Sequence, residues 1–241
     1  MLISIVTPAY NEEKLIGACL ESVRSAFAGL GEEQPYEHIV CDNASTDGTA
    51  AAARAAGVKV VFEPLRQIAA ARNTGAAAAA GELILFVDAD SRLSAATLRA
   101  VLALMAGGET VGGGSIIRFD PAPPWWGAPV VTAWNLISRV FKLAAGSFIF
   151  CRADAFHGVG GFDRRLYAGE ELALSTDLKR WGRARGLGFR ILTSAPHVSS
   201  SRKFEIYGFL DLVGFVLKFL AGPLKTMKDP GRLPVFYNCR R

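Results

Sequence analysis

The chain has 241 residues, 51% of them apolar, and a formal net charge of +5. That length suits one large α/β domain, or one domain with an appendage, and the apolar fraction is ample for a core. Four cysteines (Cys19, Cys41, Cys151, Cys239) show neither metal-ligand nor C-x-x-C spacing, which excludes a cysteine-based metal site and points to reduced thiols in a cytosolic protein.

In chain order, Leu2–Val6 reads as a first strand that begins without the basic stretch of a secretory signal. The segment Thr7-Pro-Ala-Tyr-Asn-Glu-Glu13 follows, then an amphipathic helix ending near Phe27, with Asn11 as its expected N-cap. His38–Cys41 is a second strand; it runs into the polar loop Asp42-Asn-Ala-Ser-Thr-Asp-Gly-Thr49 and an alanine-rich helix. Val58–Phe62 is a third strand, and residues 66–80 form a helix whose small side chains allow it to lie close on a sheet. The fourth strand, Leu83–Val87, is apolar without alternation, as expected of a strand buried on both faces. Strands alternating with helices in this way imply βαβ units and a parallel sheet.

The fourth strand stops at two carboxylates, Asp88 and Asp90. Ser91 or Ser94 would cap a helix starting at Ala95, but a cap does not account for the two acids. Ligands of open α/β sheets bind outside the carboxyl ends of the strands. Acids placed there invite Mg²⁺ or Mn²⁺, which prefer oxygen and bridge carboxylates to phosphates. Four strand ends share that edge: Thr7 to Glu12, Asp42 with its loop, the loop around Arg66, and Asp88 with Asp90. No G-x-G-x-x-G follows the first strand, which counts against an NAD-binding domain and leaves a nucleotide site built on acids and a metal.

These segments, with Ala71-Arg-Asn-Thr-Gly75 between them and Gly160-Gly-Phe-Asp163 and Gly169-Glu-Glu171 after them, resemble the ordered signature of family 2 glycosyltransferases with the GT-A fold. The resemblance covers residues 2–195. It implies an α/β architecture: a mostly parallel sheet flanked by helices, with a Rossmann-like nucleotide half (1–90) and an acceptor half (91–201). It also implies inverting transfer from a nucleotide sugar, assisted by Mg²⁺ or Mn²⁺. On that basis Thr7, Pro8, Tyr10, Glu12 and Asp42 line the nucleotide pocket, with Asp42 facing the base, and Arg66 and Arg72 belong to the donor side. Asp88 would sit near ribose and metal, and Asp90 would bind the metal and the diphosphate.

In the second half, Val111–Phe119, Ser147–Cys151 and Phe189–Thr193 read as strands and Trp134–Ala144 as a helix. Trp125 and Trp126, after Pro121–Pro124, would stack on a sugar, sit at a membrane interface or cover a small core. Glu170 and Glu171 open a helix, where acids suit the helix dipole. An inverting transfer also needs one base opposite the departing diphosphate. The family's later acid is replaced here by Ala173, so both glutamates stand as candidates, with Glu171 favoured by alignment. The resemblance further offers His197 to the metal shell and Arg202 and Lys203 to the diphosphate. Two other readings stay open: a sugar-nucleotide-binding protein without transfer activity, and a nucleotidyltransferase.

Residues 1–201 hold 19 Lys/Arg and 19 Asp/Glu, and residues 202–241 hold 8 and 3, so the whole positive excess lies in the tail. Phe204–Ala221 is apolar except for a narrow stripe with Asp211 and Lys218. Those charges argue against a membrane span and favour an in-plane amphipathic helix on an anionic membrane surface. The tail would then bring the enzyme to a lipid-linked acceptor, peripherally on the inner face of the cytoplasmic membrane. Packing on the catalytic domain or in a homodimer interface is the competing account. No nucleic-acid motif accompanies the charge.

Overall fold

The structure, a computed structural model, describes residues 1–31 and 33–206 together with 208, 214, 227–229 and 231. The tail helix expected beyond Ile206, with Asp211 and Lys218 and the basic residues Lys225, Arg232, Arg240 and Arg241, lies outside the described residues. Strands β1 (Ile3–Ala9), β2 (Tyr36–Asp42), β3 (Lys59–Phe62) and β4 (Leu83–Val87) alternate with helices α1 (Ile16–Ala28), α2 (Thr49–Ala55) and α3 (Ile68–Ala77). The chain continues through β5 (Ser91–Arg92), α4 (Ala95–Ala106), β6 (Thr110–Asp120), α5 (Gly127–Phe141), β7 (Phe148–Arg152), α6 (Ala153–Gly158), α7 (Glu170–Arg183), β8 (Gly188–Ser200) and α8 (Arg202–Ile206).

The strands form one sheet in the order β3-β2-β1-β4-β7-β6-β8-β5. β3, β2, β1 and β4 are mutually parallel, so their carboxyl ends share one edge. The strand order reverses between β1 and β4, the place where such sheets open a ligand crevice. Beyond β4 the expectation of a mostly parallel sheet fails and the sheet is mixed. β7 runs antiparallel to both β4 and β6, β5 runs antiparallel to β8, and only β6 and β8 are parallel. The cause is where the chain enters β7. After α5 it arrives at the carboxyl end of β4, where the Asp88 N–H donates to the Ser147 carbonyl at 3.2 Å, so β7 has to run back down the sheet.

The two faces of β4 divide the core. Leu83, Leu85 and Val87 pack with Cys19 and Val23 of α1 and Leu98 and Val101 of α4. Ile84 and Phe86 pack with Ala69 and Ala76 of α3, Phe156 of α6 and Leu174 and Leu178 of α7. All five β4 side chains are fully buried, as the unbroken apolar run predicted. Gly75 is what lets α3 rest on the sheet, since a Cβ there would lie 2.5 Å from Val6 Cγ1.

Three local expectations are corrected. Asn11 does not cap α1, which begins at Ile16 behind Leu15. It holds a left-handed turn instead (φ 52°), and its Oδ1 accepts from the Thr46 N–H at 2.8 Å, joining the loops after β1 and β2. The fifth helix starts at Gly127, ahead of the expected Trp134, because a proline in the first turn (Pro129) gives up no intrahelical donor. β8 extends past Pro196, which falls where the pairing with β6 shifts register, a position that tolerates a residue without an N–H. The Ser94 cap is present, with its Oγ accepting from the Thr97 N–H at 3.0 Å.

His38 lies buried on β2 with Nε2 2.9 Å from Thr7 Oγ1, and burial pushes its pKa down to about 4. An unfolded histidine takes its proton near 6.5. Between those values the unfolded chain binds more protons, so stability is complete above pH 6.5 and falls as pH drops toward 4. The loss should approach ~3 kcal/mol from this group. Urea denaturation across that range should show the decline, and His38→Gln, which keeps a partner for Thr7, should flatten it.

Candidate active site

The carboxyl ends of β1 to β4 open into a cleft whose far wall is built from β6, the start of β7 and the segment leading into α7. Pro8, Tyr10 and Glu12 line it from β1, Asn43 from β2, Arg66 from the loop after β3, and Asp88 and Asp90 from β4. Ile117, Phe119, Gly146, Ser147, Tyr167, Glu170 and Glu171 line the opposite side. Ala89 is buried between the two acids, so both carboxylates fall on the cleft side while the backbone stays anchored.

Arg72 organises the centre. Its side chain is 1% exposed, and Nη1 donates to Glu170 Oε1 at 2.7 Å. Nη2 donates to Asp88 Oδ1 at 2.9 Å and to the Gly146 carbonyl at 2.7 Å. Burial opposes its charge, but Asp88, Glu170 and Glu171 outweigh that and hold the guanidinium protonated, above its ordinary value. Arg72, expected on the donor side, lines the cleft, and its bonds also make it the brace between the β4 acid and the α7 acid.

The other residues of Ala71-Arg-Asn-Thr-Gly75 are structural in the same way. Asn73 accepts the Phe162 N–H and donates to the Phe162 carbonyl, both at 2.9 Å, which clamps the Gly160-Gly-Phe162 turn to α3. Gly161 is at φ 73°, and a Cβ there would lie 2.6 Å from Asn73 Oδ1, so both sterics and conformation require glycine. Thr74 Oγ1 donates to Glu63 Oε2 at 2.6 Å, and Asn43 Nδ2 donates to the carbonyls of Glu63 and Leu65. These bonds hold the loop that presents Arg66, whose guanidinium lies 4.4 Å over the Tyr10 ring. A cationic plane on an aromatic face makes one wall of the cleft flat and polarisable.

Glu170 and Glu171 have separate roles. Glu170 is buried and committed to Arg72. Glu171 is partly buried at the mouth of α7, and its pKa is raised to about 8 by burial first and then by the charge of Glu170, against the pull of Arg72. A carboxyl held near neutrality is matched to proton transfer.

Several expected contacts are absent from the cleft. Thr7 does not line it, because its hydroxyl is turned to His38 within the core. Asp42 does not line it either; its Oδ1 accepts the Ser45 N–H at 3.2 Å, and its neighbour Asn43 reaches the wall. Arg202 was expected at a diphosphate, and the structure pairs it with Glu12, Nη2 reaching the two carboxylate oxygens at 2.8 and 2.9 Å. The side chain of Lys203 lies outside the described residues. His197 is fully buried with its ring stacked on Phe148, 4.8 Å between centroids, and it is not on the cleft wall. Burial pushes its pKa down to about 3, the nearby Asp90 acting the other way, and neither ring nitrogen has a hydrogen-bond partner among the described residues. No group of three His, Cys, Asp or Glu side chains in metal-binding proximity occurs among the described residues. The chain alone therefore brings Asp88 and Asp90 to the cleft, and His197 only to the neighbourhood of Asp90.

Sequence reasoning missed Gly146, Ser147, Tyr167 and the β6 pair Ile117 and Phe119. Gly146, Ser147, Ile117 and Phe119 reach it through the antiparallel β7 and the long β6, and Tyr167 through the segment leading into α7; no residue pattern signals any of these.

This is a nucleotide-type α/β crevice with a paired acid at the switch point, and comparison with known proteins gives it a family. Residues 4–158 match glycosyl transferase family 2, and the chain belongs to that family. An uncharacterized glycosyltransferase of Mycobacterium tuberculosis is 30% identical over 190 residues, 74% of this chain and 80% of that protein. The glucosyl-3-phosphoglycerate synthase of Mycolicibacterium smegmatis is 38% identical over 96 residues, 36% of this chain and 30% of its own length. Among solved structures, the mannosyltransferase PcManGT of Pyrobaculum calidifontis, in complex with GDP-Man and Mn²⁺, superimposes with a TM-score of 0.66 at 20% identity, over 98% of this chain and 68% of that one. Glucosyl-3-phosphoglycerate synthase of Mycobacterium tuberculosis, with Mn²⁺, UDP-glucose and phosphoglyceric acid, gives 0.64 at 20% identity over 93% and 79%. The GT-A-type fold is thereby established.

Removing the brace should be costly. Arg72→Met leaves Asp88 and Glu170 buried without their cation, and such losses amount to ~3–5 kcal/mol. The urea midpoint should fall accordingly. Arg72→Lys, which keeps the charge but not the fork, should lose less.

Proposed function

We propose that this protein is an inverting glycosyltransferase, moving a sugar from a nucleotide-sugar donor to an acceptor hydroxyl with the help of Mg²⁺ or Mn²⁺. One observation carries the reading: a paired acid at the end of β4 and a glutamate with a raised pKa, Glu171, share one cleft, whose centre is a single buried arginine that joins Asp88 to Glu170. Relatives of the same fold bind nucleotide sugars together with Mn²⁺, which supports a donor of that class. The flat wall of Tyr10 and Arg66 suits the base of the nucleotide.

Asp90 and Asp88 are the residues that hold the cation. Such cations use one or two protein carboxylates and take their remaining oxygens from substrate phosphates and water, so a pair of carboxylates suffices. His197, neutral and without a hydrogen-bond partner among the described residues, lies near Asp90 but off the cleft wall, and would need to turn toward the cleft to join the cation. Bound there, the cation neutralises charge on the departing diphosphate.

Glu171 is the base. It takes the proton of the acceptor hydroxyl as that oxygen bonds to the anomeric carbon. The bond from that carbon to the phosphate oxygen breaks, and the electron pair leaves with the nucleoside diphosphate. A single displacement from the opposite face inverts the anomeric configuration. Glu170 positions Arg72, and Arg72 fixes Asp88, so both act through other groups. The basic composition of residues 202–241 favours an acceptor presented at an anionic membrane surface, carried on a lipid.

Glu171→Gln should lower turnover at least about a hundredfold with little change in donor affinity. Because the base must be ionised and its pKa is raised, kcat/KM of the wild type should rise with pH toward about 8, and the variant should lack that limb. Asp90→Ala should abolish the Mn²⁺ dependence of donor binding. NMR of the product should show the anomer opposite to the donor's; retention would exclude the single displacement. If Glu170→Gln loses turnover and Glu171→Gln does not, the base is one residue earlier.

A further inference from the structure

Helix α5 turns an apolar face outward. Leu136, Val140 and Phe141 are 60%, 63% and 62% exposed, and Val130 and Ile137 are exposed beside them. At 100° per residue these five fall in one arc of roughly 140°. The opposite side of the helix is satisfied by the protein. Asn135 Oδ1 accepts the Ile117 N–H and its Nδ2 donates to the Ile117 carbonyl, both at 2.9 Å, while Ser138 is buried with Oγ on the Leu143 carbonyl. Nothing among the described residues covers the outward face, and Trp125 just ahead of the helix is 85% exposed. Among the described residues, Trp125 covers no core.

Charge is arranged around this face with one sign. Residues 121–153 contain no Asp or Glu. Arg139 and Lys142 are exposed at the carboxyl end of α5, and Lys179 Nζ donates to the Phe141 carbonyl at 3.0 Å. Lys142 and Arg183 are close enough to Lys179 to oppose its charge. The inner side of the same helix reaches the active-site cleft. Ile117, clamped to α5 by Asn135, lines the cleft, and Phe119 beside it meets Phe204 edge-on at 5.1 Å, while Phe204 in turn meets Trp126 at 5.5 Å.

We propose that the outward face of α5, with Trp125 and the Arg139–Lys142–Lys179–Arg183 cluster, is the surface by which this enzyme docks onto an anionic lipid bilayer. An in-plane helix buries its apolar face at the headgroup boundary, cations meet the anionic headgroups, and a tryptophan sits at the interface. A second copy of this chain fits less well, because a two-fold contact across α5 would bring two basic clusters together with no acid between them. The proposal deepens the glycosyltransferase reading and rests on it for one consequence: the cleft opens beside the membrane, so the acceptor hydroxyl is carried on a lipid. No described helix is long and apolar enough to span a bilayer, and an in-plane contact does not require one.

The test uses the full chain and vesicles of phosphatidylglycerol and phosphatidylcholine. Wild-type protein should float with them at low salt and release as salt rises. Leu136→Ser/Val140→Ser/Phe141→Ser should lower the partition coefficient at least about tenfold, since each lost side chain removes apolar burial. Lys142→Gln with Arg139→Gln should weaken binding to phosphatidylglycerol vesicles only. Thermal midpoint, oligomeric state and Mn²⁺-dependent binding of UDP- or GDP-sugars should be those of the wild type in all variants. Three results would overturn the proposal: wild type that does not float at low salt, a triple variant that floats equally well, or a triple variant whose midpoint or oligomeric state changes, meaning that this chain or a second copy covers the face. Failure of the wild type to bind any sugar nucleotide would count instead against the transferase reading, with flotation still deciding the docking surface.

Discussion

The structure depends on one buried cation. Arg72 sits among Asp88, Glu170 and Glu171, where a guanidinium would be unfavourable without them and they without it. Its three donated bonds reach β4, α7 and the turn before β7, three elements far apart in sequence that must converge for a cleft to exist. The planar fork makes this geometry possible in a way an ammonium would not. Glu170 bonds the fork directly, whereas the pKa of Glu171, the next residue of α7, is raised by burial and by the charge of Glu170.

The mixed sheet has the same logic. A parallel β7 would have left the carboxyl end of β4 and carried the chain away from the acids. Running antiparallel, it delivers Gly146 and Ser147 to the cleft just before the strand begins. Gly146 has room for little else, since a Cβ there would lie 3.2 Å from Arg72 Nη2. β6 extends past its pairing with β7 and carries the apolar Ile117 and Phe119 to the far wall, beside the two glutamates of α7.

That apolar wall also links the chemistry to the outside. α5 is held by polar clamps on its inner side and shows its Leu, Val and Phe side chains outward, the reverse of a core-facing helix. Single exposed apolar residues are ordinary, but a row along one helix, rimmed by cations and free of acids, is a surface with a direction.

Much of the nucleotide half was legible in the sequence, because buried parallel strands read as unbroken apolar runs and their ligand-binding ends read as polar interruptions. Leu83–Val87 followed by Asp88 and Asp90 carried both signals, and Ala71-Arg-Asn-Thr-Gly75 marked a helix that must lie close on the sheet. Local rules also gave the Ser94 cap. What the residues could not state was which polar groups were already committed. Thr7 to His38, Asp42 to its own loop, Arg202 to Glu12 and Arg72 to two carboxylates all looked available in one dimension, and each is engaged by a partner from 3 to 190 positions away. Strand direction after β4 was equally hidden, since an apolar run looks the same whichever way it is paired. The sequence by itself therefore determined the strands, the acids at their ends and the basic bias of the tail. Only the tertiary structure decided which polar groups are already paired and which carboxyl is desolvated, because burial and neighbouring charge exist only once distant segments have packed together.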